Sequence, residues 1–319
     1  MRSSRLGIIA LIAFTILTGA SCSYYNQIVA RKNLVDGATA YNERKFAEAE
    51  KLFRKTVDVD PNGDSMEGKT AQLFLARTLH SQFISDRKNT AKAEEAVQAY
   101  EKVLQKNIND QDSFKAHASL TRTLGRTDEA LQRISERANN TNVKPEYRAE
   151  SYTSLAAPQY TCANEISEQG KKTVKKDGKD VFEYTKPANP DDFAKLKTCA
   201  DEGLKLVEQA VALQPAEVDQ MKNLDLKSMT PQEISAKQDL LRIFSSAWAY
   251  KANLLYQKMR VAEMDNNTAE KDSFKAKGDE ARVVFTGLNE VEKKMQTEID
   301  DRKKAADAEK DKEKSNTAK

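Results

Sequence analysis

Apolar residues recur along most of this chain at intervals of three and four, the period of an amphipathic helix. Leu241, Phe244, Trp248, Ala252, Leu255, Met259 and Ala262 step this way without a break and define one face of a long helix. That stripe, which includes the only Trp, is read as packing and not as a ligand site. A partner helix is predicted from about Ala269 to Ile299. Beyond it, DRKKAADAEKDKEKSNTAK carries almost no large apolar residue, so residues 300–319 are expected to form a disordered charged tail. Upstream, two further helices are predicted over about Glu146–Ser167 and Asp191–Leu213, the second closed by Pro215. Between them, at about residues 169–190, lies GKKTVKKDGKDVFEYTKPANP. Asp177-Gly178 between Val174 and Val181 is a two-residue hairpin signal, so this insertion is either a small β-hairpin or a lysine-rich loop.

The first 21 residues follow another pattern. Arg2 and Arg5 precede a nearly continuous apolar run from Leu6 to Leu17, and the small residues Gly19, Ala20 and Ser21 lead to Cys22. The run is short for a membrane span of about 20 residues, so residues 1–21 are expected to be a signal peptide. Small residues directly before Cys resemble the bacterial lipobox, although Gly19 stands where that motif usually has Leu. The resemblance implies that Cys22 is lipidated and anchors the chain to a membrane, with residues 22–32 as a tether. Ser23, where an inner-membrane retention signal would have Asp, points to the outer membrane. Ordinary signal peptidase cleavage and an uncleaved anchor are the alternatives.

From Gly37 to Pro61 the chain reads GATAYNERKFAEAEKLFRKTVDVDP, with Gly37, Tyr41, Phe46, Ala49 and Phe53 before the closing Pro. This resembles the tetratricopeptide repeat: a helix pair with a small residue where the helices cross and aromatics covering the gap. Ala96 (AEEAVQAYEKVL) and Ala130 (TDEALQRISERA) stand 34 residues apart, the period of that family, and Tyr100 and Ile134 follow each by one turn. Ala49 and Ala96 are 47 apart. The excess is assigned to polar loops after Pro61 and at residues 84–91. The resemblance spans residues 33–299. It implies an all-α, right-handed solenoid of about five helical hairpins, with the insertion inside the fourth.

Composition agrees. The chain is 39% hydrophobic and 32% charged, with only 11 Gly and 7 Pro, which suits many solvent-facing helices and disfavours turn-rich β folds. Basic and acidic residues nearly cancel, 52 against 49, so the whole chain has no electrostatic reason to bind nucleic acid. Only two histidines occur, His80 and His117, and no phosphate loop, HExxH, CxxC or nucleophile elbow is present. We therefore expect no enzyme activity, cofactor or metal. Cys162 and Cys199 fall on the two helices that flank the insertion. In an oxidising compartment they are expected to form a disulfide, the alternative being two buried thiols. The lysines at 171, 172, 175 and 176 are read as a solvated loop, with a membrane-headgroup contact as the alternative.

The resemblance also implies a concave groove lined by the first helix of each pair, and with it a protein or peptide partner. Aligning the pairs places Tyr41, Asn42, Arg77, His80, Lys115, Ser119, Arg122 and Tyr160 there. Arg77, Lys115 and Arg122 make the expected ligand an acidic or C-terminal segment. The family's carboxylate clamp is not complete, because Ala38 and Ser119 stand at its usual Asn and Arg positions. The function expected is a membrane-tethered periplasmic scaffold. The alternative is a ligand-binding lipoprotein that takes a glycan or peptide for uptake.

Overall fold

The computed structural model describes residues 26–317. The leader and Cys22 lie outside the described residues. Two compact units divide the chain, one ending at Leu131 and the other beginning at Gln132.

The first unit holds α1 (residues 26–42), α2 (Phe46–Val59), α3 (Met66–Ser85), α4 (Thr90–Lys106), α5 (Gln111–Thr123) and the start of α6 (Thr127–Asn139). Residues 26–32, expected as tether, are already helix. Each of α2, α3 and α4 packs on the helix that follows it, the neighbour-on-neighbour order of a repeat array. The small residues predicted at the crossings take that role. Ala49, Ala96 and Ala130 are fully buried. A Cβ on Gly37 would lie 2.8 Å from the Phe53 ring, so only the bare backbone of α1 lets that ring in. Phe53 is itself fully buried, which contributes roughly 1.5–3 kcal/mol of transfer free energy. Tyr41 meets Phe46 and Phe74 edge-on at 5.6 and 5.8 Å and closes the cluster.

The extra residues between Ala49 and Ala96 do not sit mainly in loops. α3 has 20 residues against 13 for α5, about two additional turns, and Ile84, Ser85, Thr90 and Ala91 are all helical. The polar run that reads as loop is shortened by a cap: the Asn89 side chain accepts from the Lys92 N–H and starts α4 early. Ser65 caps α3 in the same way and is held by the Asp60 carboxylate.

The second unit holds the rest of α6, α7 (Pro145–Gln169), β1 (Lys171–Lys176), β2 (Lys179–Tyr184), α8 (Pro190–Ala212), the short α9 (Ala216–Gln220), α10 (Pro231–Met264) and α11 (Thr268–Thr317). α7 pairs with α8, α10 packs on both, and α11 pairs with α10. The predicted α10 stripe faces inward: Leu241 and Phe244 are fully buried, and Ala252, Leu255 and Ala262 nearly so. Gly203 on α8 leaves room for Leu254, whose Cδ2 would sit 2.7 Å from an added Cβ. The insertion is a β-hairpin. Asp177 and Gly178 both have positive φ, 52° and 75°, the backbone a two-residue type I′ turn requires, and Val174 pairs with Val181. α11 continues past Ile299 to Thr317, where the sequence reading gives a disordered tail. Good helix formers and ion pairs one turn apart, such as Arg302–Glu298 at 2.7 Å, sustain it where the apolar stripe has run out.

Candidate partner-binding surface

α3 packs on both α2 and α4, and eight of its 20 residues are buried. A half-exposed stripe remains, at Leu73, Arg77, His80 and Ser81, with neighbours one helical turn apart. On α5 the exposed residues are Asp112, Lys115, Ser119, Arg122 and Thr123. An ion pair joins the two stripes: Arg77 Nη2 lies 3.6 Å from the Asp112 carboxylate. Arg77, Lys115, Ser119 and Arg122 therefore belong to one surface. Asp112 was not foreseen. It draws off part of the Arg77 charge, and being largely exposed it screens Arg77 without burying it.

The other residues divide between surface and core. Asn42 is exposed at the end of α1. Tyr41 is half-buried among Phe46 and Phe74, and its hydroxyl lies 3.3 Å from Ser81 Oγ, so only its polar tip reaches the α3 stripe. His80 is half-buried, with Nδ1 3.3 Å from the Tyr100 hydroxyl. Burial, and after it the nearby Arg87 charge, hold His80 below the usual histidine range, so it is neutral near pH 7. Burial likewise pushes the Tyr100 phenol up. Tyr160 belongs to the second unit. It packs with Ala156, Val207 and Leu254 and meets Tyr250 edge-on at 5.9 Å, which makes it a packing residue of α7. Its sequence spacing gave no hint of Tyr250, which is 90 positions away.

On the other side of α3, Glu50 is the centre of an ion cluster that ties three helices. It accepts from Lys92 (2.9 Å) on α4, Gln82 (2.7 Å) on α3 and Arg54 (2.9 Å) on α2, and Glu95 closes the ring with Arg54. Burial works against the Glu50 charge, but the Lys92, Gln82 and Arg54 donors outweigh it and hold the carboxyl below its usual range. This cluster fixes register between hairpins and leaves no free charge for a ligand.

In the second unit Cys162 and Cys199 are bonded, with Cα atoms 6.1 Å apart, and so cross-link α7 to α8. The hairpin is held at its base by a second set of contacts. Arg260 of α10 stacks on the Tyr184 ring at 4.1 Å and pairs with Glu168 at 2.9 Å. It also donates to Ser167 Oγ at 2.8 Å, while Gln257 bonds Ser167 and Asn164. No sequence motif marks this network, because its members are joined only by the fold. Trp248 donates to Gln214 at 2.8 Å, is partly buried, and has the Lys251 ammonium 4.7 Å from its ring centre.

Among the described residues no helix is long and apolar enough to cross a membrane, and no cluster of metal-ligating side chains occurs. No family model matches the chain, and no curated protein matches it. Two solved structures that resemble it are pilF of Pseudomonas aeruginosa and a tetratricopeptide repeat protein from Parabacteroides merdae. The first is 14% identical, over 78% of this chain and 90% of that one, with a TM-score of 0.30. The second is 12% identical, over 83% and 98%, with a TM-score of 0.32. Neither similarity is of a size that fixes function.

Proposed function

We propose that this chain is an exported, lipid-anchored scaffold that binds an acidic or C-terminal segment of a partner protein on the α3–α5 face of its first unit. The Arg77–Asp112 contact carries this reading, because it sets the outward stripes of two successive first helices side by side. Lys115 and Arg122 then add fixed charge about one and three turns beyond Asp112. Arg122 offers a carboxylate two parallel donors, and Arg77 can exchange its exposed partner Asp112 for a ligand carboxylate at little cost. Helix pairs stacked as in the first unit present a broad surface, which suits an extended peptide.

Two experiments test the reading. Affinity capture from detergent-solubilised membranes, with partners identified by mass spectrometry, should lose its principal partner when Arg77 and Arg122 are both changed to Glu. Lys205→Glu, on the exposed side of α8, should leave capture unchanged. Retention of the partner by the double variant would move the docking site elsewhere. For the anchor, Cys22→Ser should shift the protein from the membrane to the soluble fraction or leave an uncleaved precursor. A soluble wild type would end the lipidation reading and leave the binding reading standing.

A further inference from the structure

The two-stranded sheet has one edge on the protein and one in solvent. β2 lies against α10, and its last residue Tyr184 is buried under Arg260. β1 is exposed at every position except Val174, which is half-buried. The hydrogen-bond pattern follows from the turn. With Asp177-Gly178 as the loop, Lys176 and Lys179 are the closing bonded pair, and bonding alternates from there: Val174 with Val181, Lys172 with Glu183, then Thr185 N–H to Gly170 O at 3.0 Å. The N–H and C=O groups of Thr173 and Lys175 therefore point away from β2, and no third strand covers them among the described residues.

A free edge of this kind is a template for another strand, and lysines along it are the usual guard against indiscriminate pairing. Here they also select. Two copies of β1 laid edge to edge would oppose Lys to Lys, which disfavours self-association. Lys171 and Lys176 are partnered by Glu168 at 3.1 Å and Glu183 at 2.7 Å, while Lys172 and Lys175 extend into solvent on opposite faces of the strand. The base of the hairpin is held by the Arg260 contacts to Tyr184 and Glu168, and the Cys162–Cys199 bond ties together the two helices from which it springs. The exposed Phe182 ring stands opposite Thr173, on the face that an added strand would extend.

We infer that β1 is a second docking site, which adds an extended acidic segment of a partner protein as a third strand through the Thr173 and Lys175 backbone groups, with its carboxylates beside Lys172 and Lys175. This surface is separate from the α3–α5 face and does not depend on it.

The test uses the full chain and a fluorescein-labelled octapeptide of Val and Thr with Glu at every third position, so that successive carboxylates fall on opposite faces of the added strand, followed by anisotropy. Wild type should bind it saturably, and a peptide of equal charge interrupted by two prolines should not bind. Thr173→Pro removes an outward N–H only and leaves the bonds to β2, so the hairpin survives; it should weaken binding by about tenfold or more, the scale of a lost hydrogen bond plus a clash. Lys172→Glu with Lys175→Glu should weaken it similarly without touching the backbone. In wild type, hydrogen exchange at the Thr173 and Lys175 amides should slow when the peptide is added. Equal binding by Thr173→Pro, equal binding of the proline peptide, or unchanged exchange at both amides would each overturn strand addition. Binding to anionic phospholipid vesicles that survives Thr173→Pro, with none to the octapeptide, would overturn it in favour of a lipid surface.

Discussion

The disulfide gives a prediction whose size follows from the chain. Cys162 and Cys199 are 37 residues apart, and everything between them, including the whole hairpin, is closed into a loop. In the loop-entropy treatment, closing a loop of that length lowers the entropy of the unfolded chain enough to stabilise the fold by about 4 kcal/mol, a model-dependent figure. For a unit of this size that corresponds to a melting shift of roughly 8–15 °C. Cys199 is buried, so Cys199→Ala also removes a packed sulfur. The double variant Cys162→Ala with Cys199→Ala and the wild type in reductant separate the two effects, since reduction breaks the cross-link and keeps the sulfurs. Calorimetry should show the double variant under oxidising conditions, and the wild type in reductant, both well below oxidised wild type and within a few degrees of each other. Equal melting of the oxidised wild type and the double variant would refute the reasoning, as would two reactive thiols in the unreduced native protein.

Other expectations rest on single contacts. Phe53→Ala empties the pocket between Gly37 and Phe74 and should cost roughly 3–5 kcal/mol in denaturant unfolding of the first unit, with a change below about 1 kcal/mol pointing to a ring that is not packed there. Arg260→Ala should cost about 1–2 kcal/mol and speed tryptic cleavage between Lys171 and Lys179, because Glu168 loses one of its two cationic partners and Tyr184 its cover; an unchanged cleavage rate would show that the hairpin is held by other means. His80, held below its usual 6.5, resists a proton that the unfolded chain accepts, so stability should fall as pH drops below about 6.5. His80→Asn should flatten that slope between pH 7 and 5.5, where Glu50 stays ionised in both states; a slope identical to wild type would remove His80 as its source.

How much was legible in the sequence depended on the range of the signal. The Ala49, Ala96 and Ala130 crossings and the α10 stripe are local periodicities, and each is buried as the spacing implies. The hairpin turn is a dipeptide rule and was readable for the same reason. The added length of α3 reads as loop because residues 84–91 are mostly polar, yet Ile84 and Ser85 still end α3 and the Asn89 cap starts α4 at Thr90, so only residues 86–89 are loop. Tyr160 was placed by repeat alignment on a ligand surface, but its environment is set by Tyr250 of α10. Asp112 beside Arg77 and Arg260 beneath Tyr184 are likewise long-range pairs, created only when helices distant in sequence come together.

The claim that the α3–α5 face of the first unit is where a partner docks is tested most directly by site-specific photocrosslinking in intact cells. A photoreactive residue placed at Ser119, in the middle of that face, should yield one dominant crosslinked partner protein. The same residue at Lys102, exposed on α4 beside Arg54 and Glu95, should yield none. A dominant crosslink from Lys102 with none from Ser119 would contradict the account.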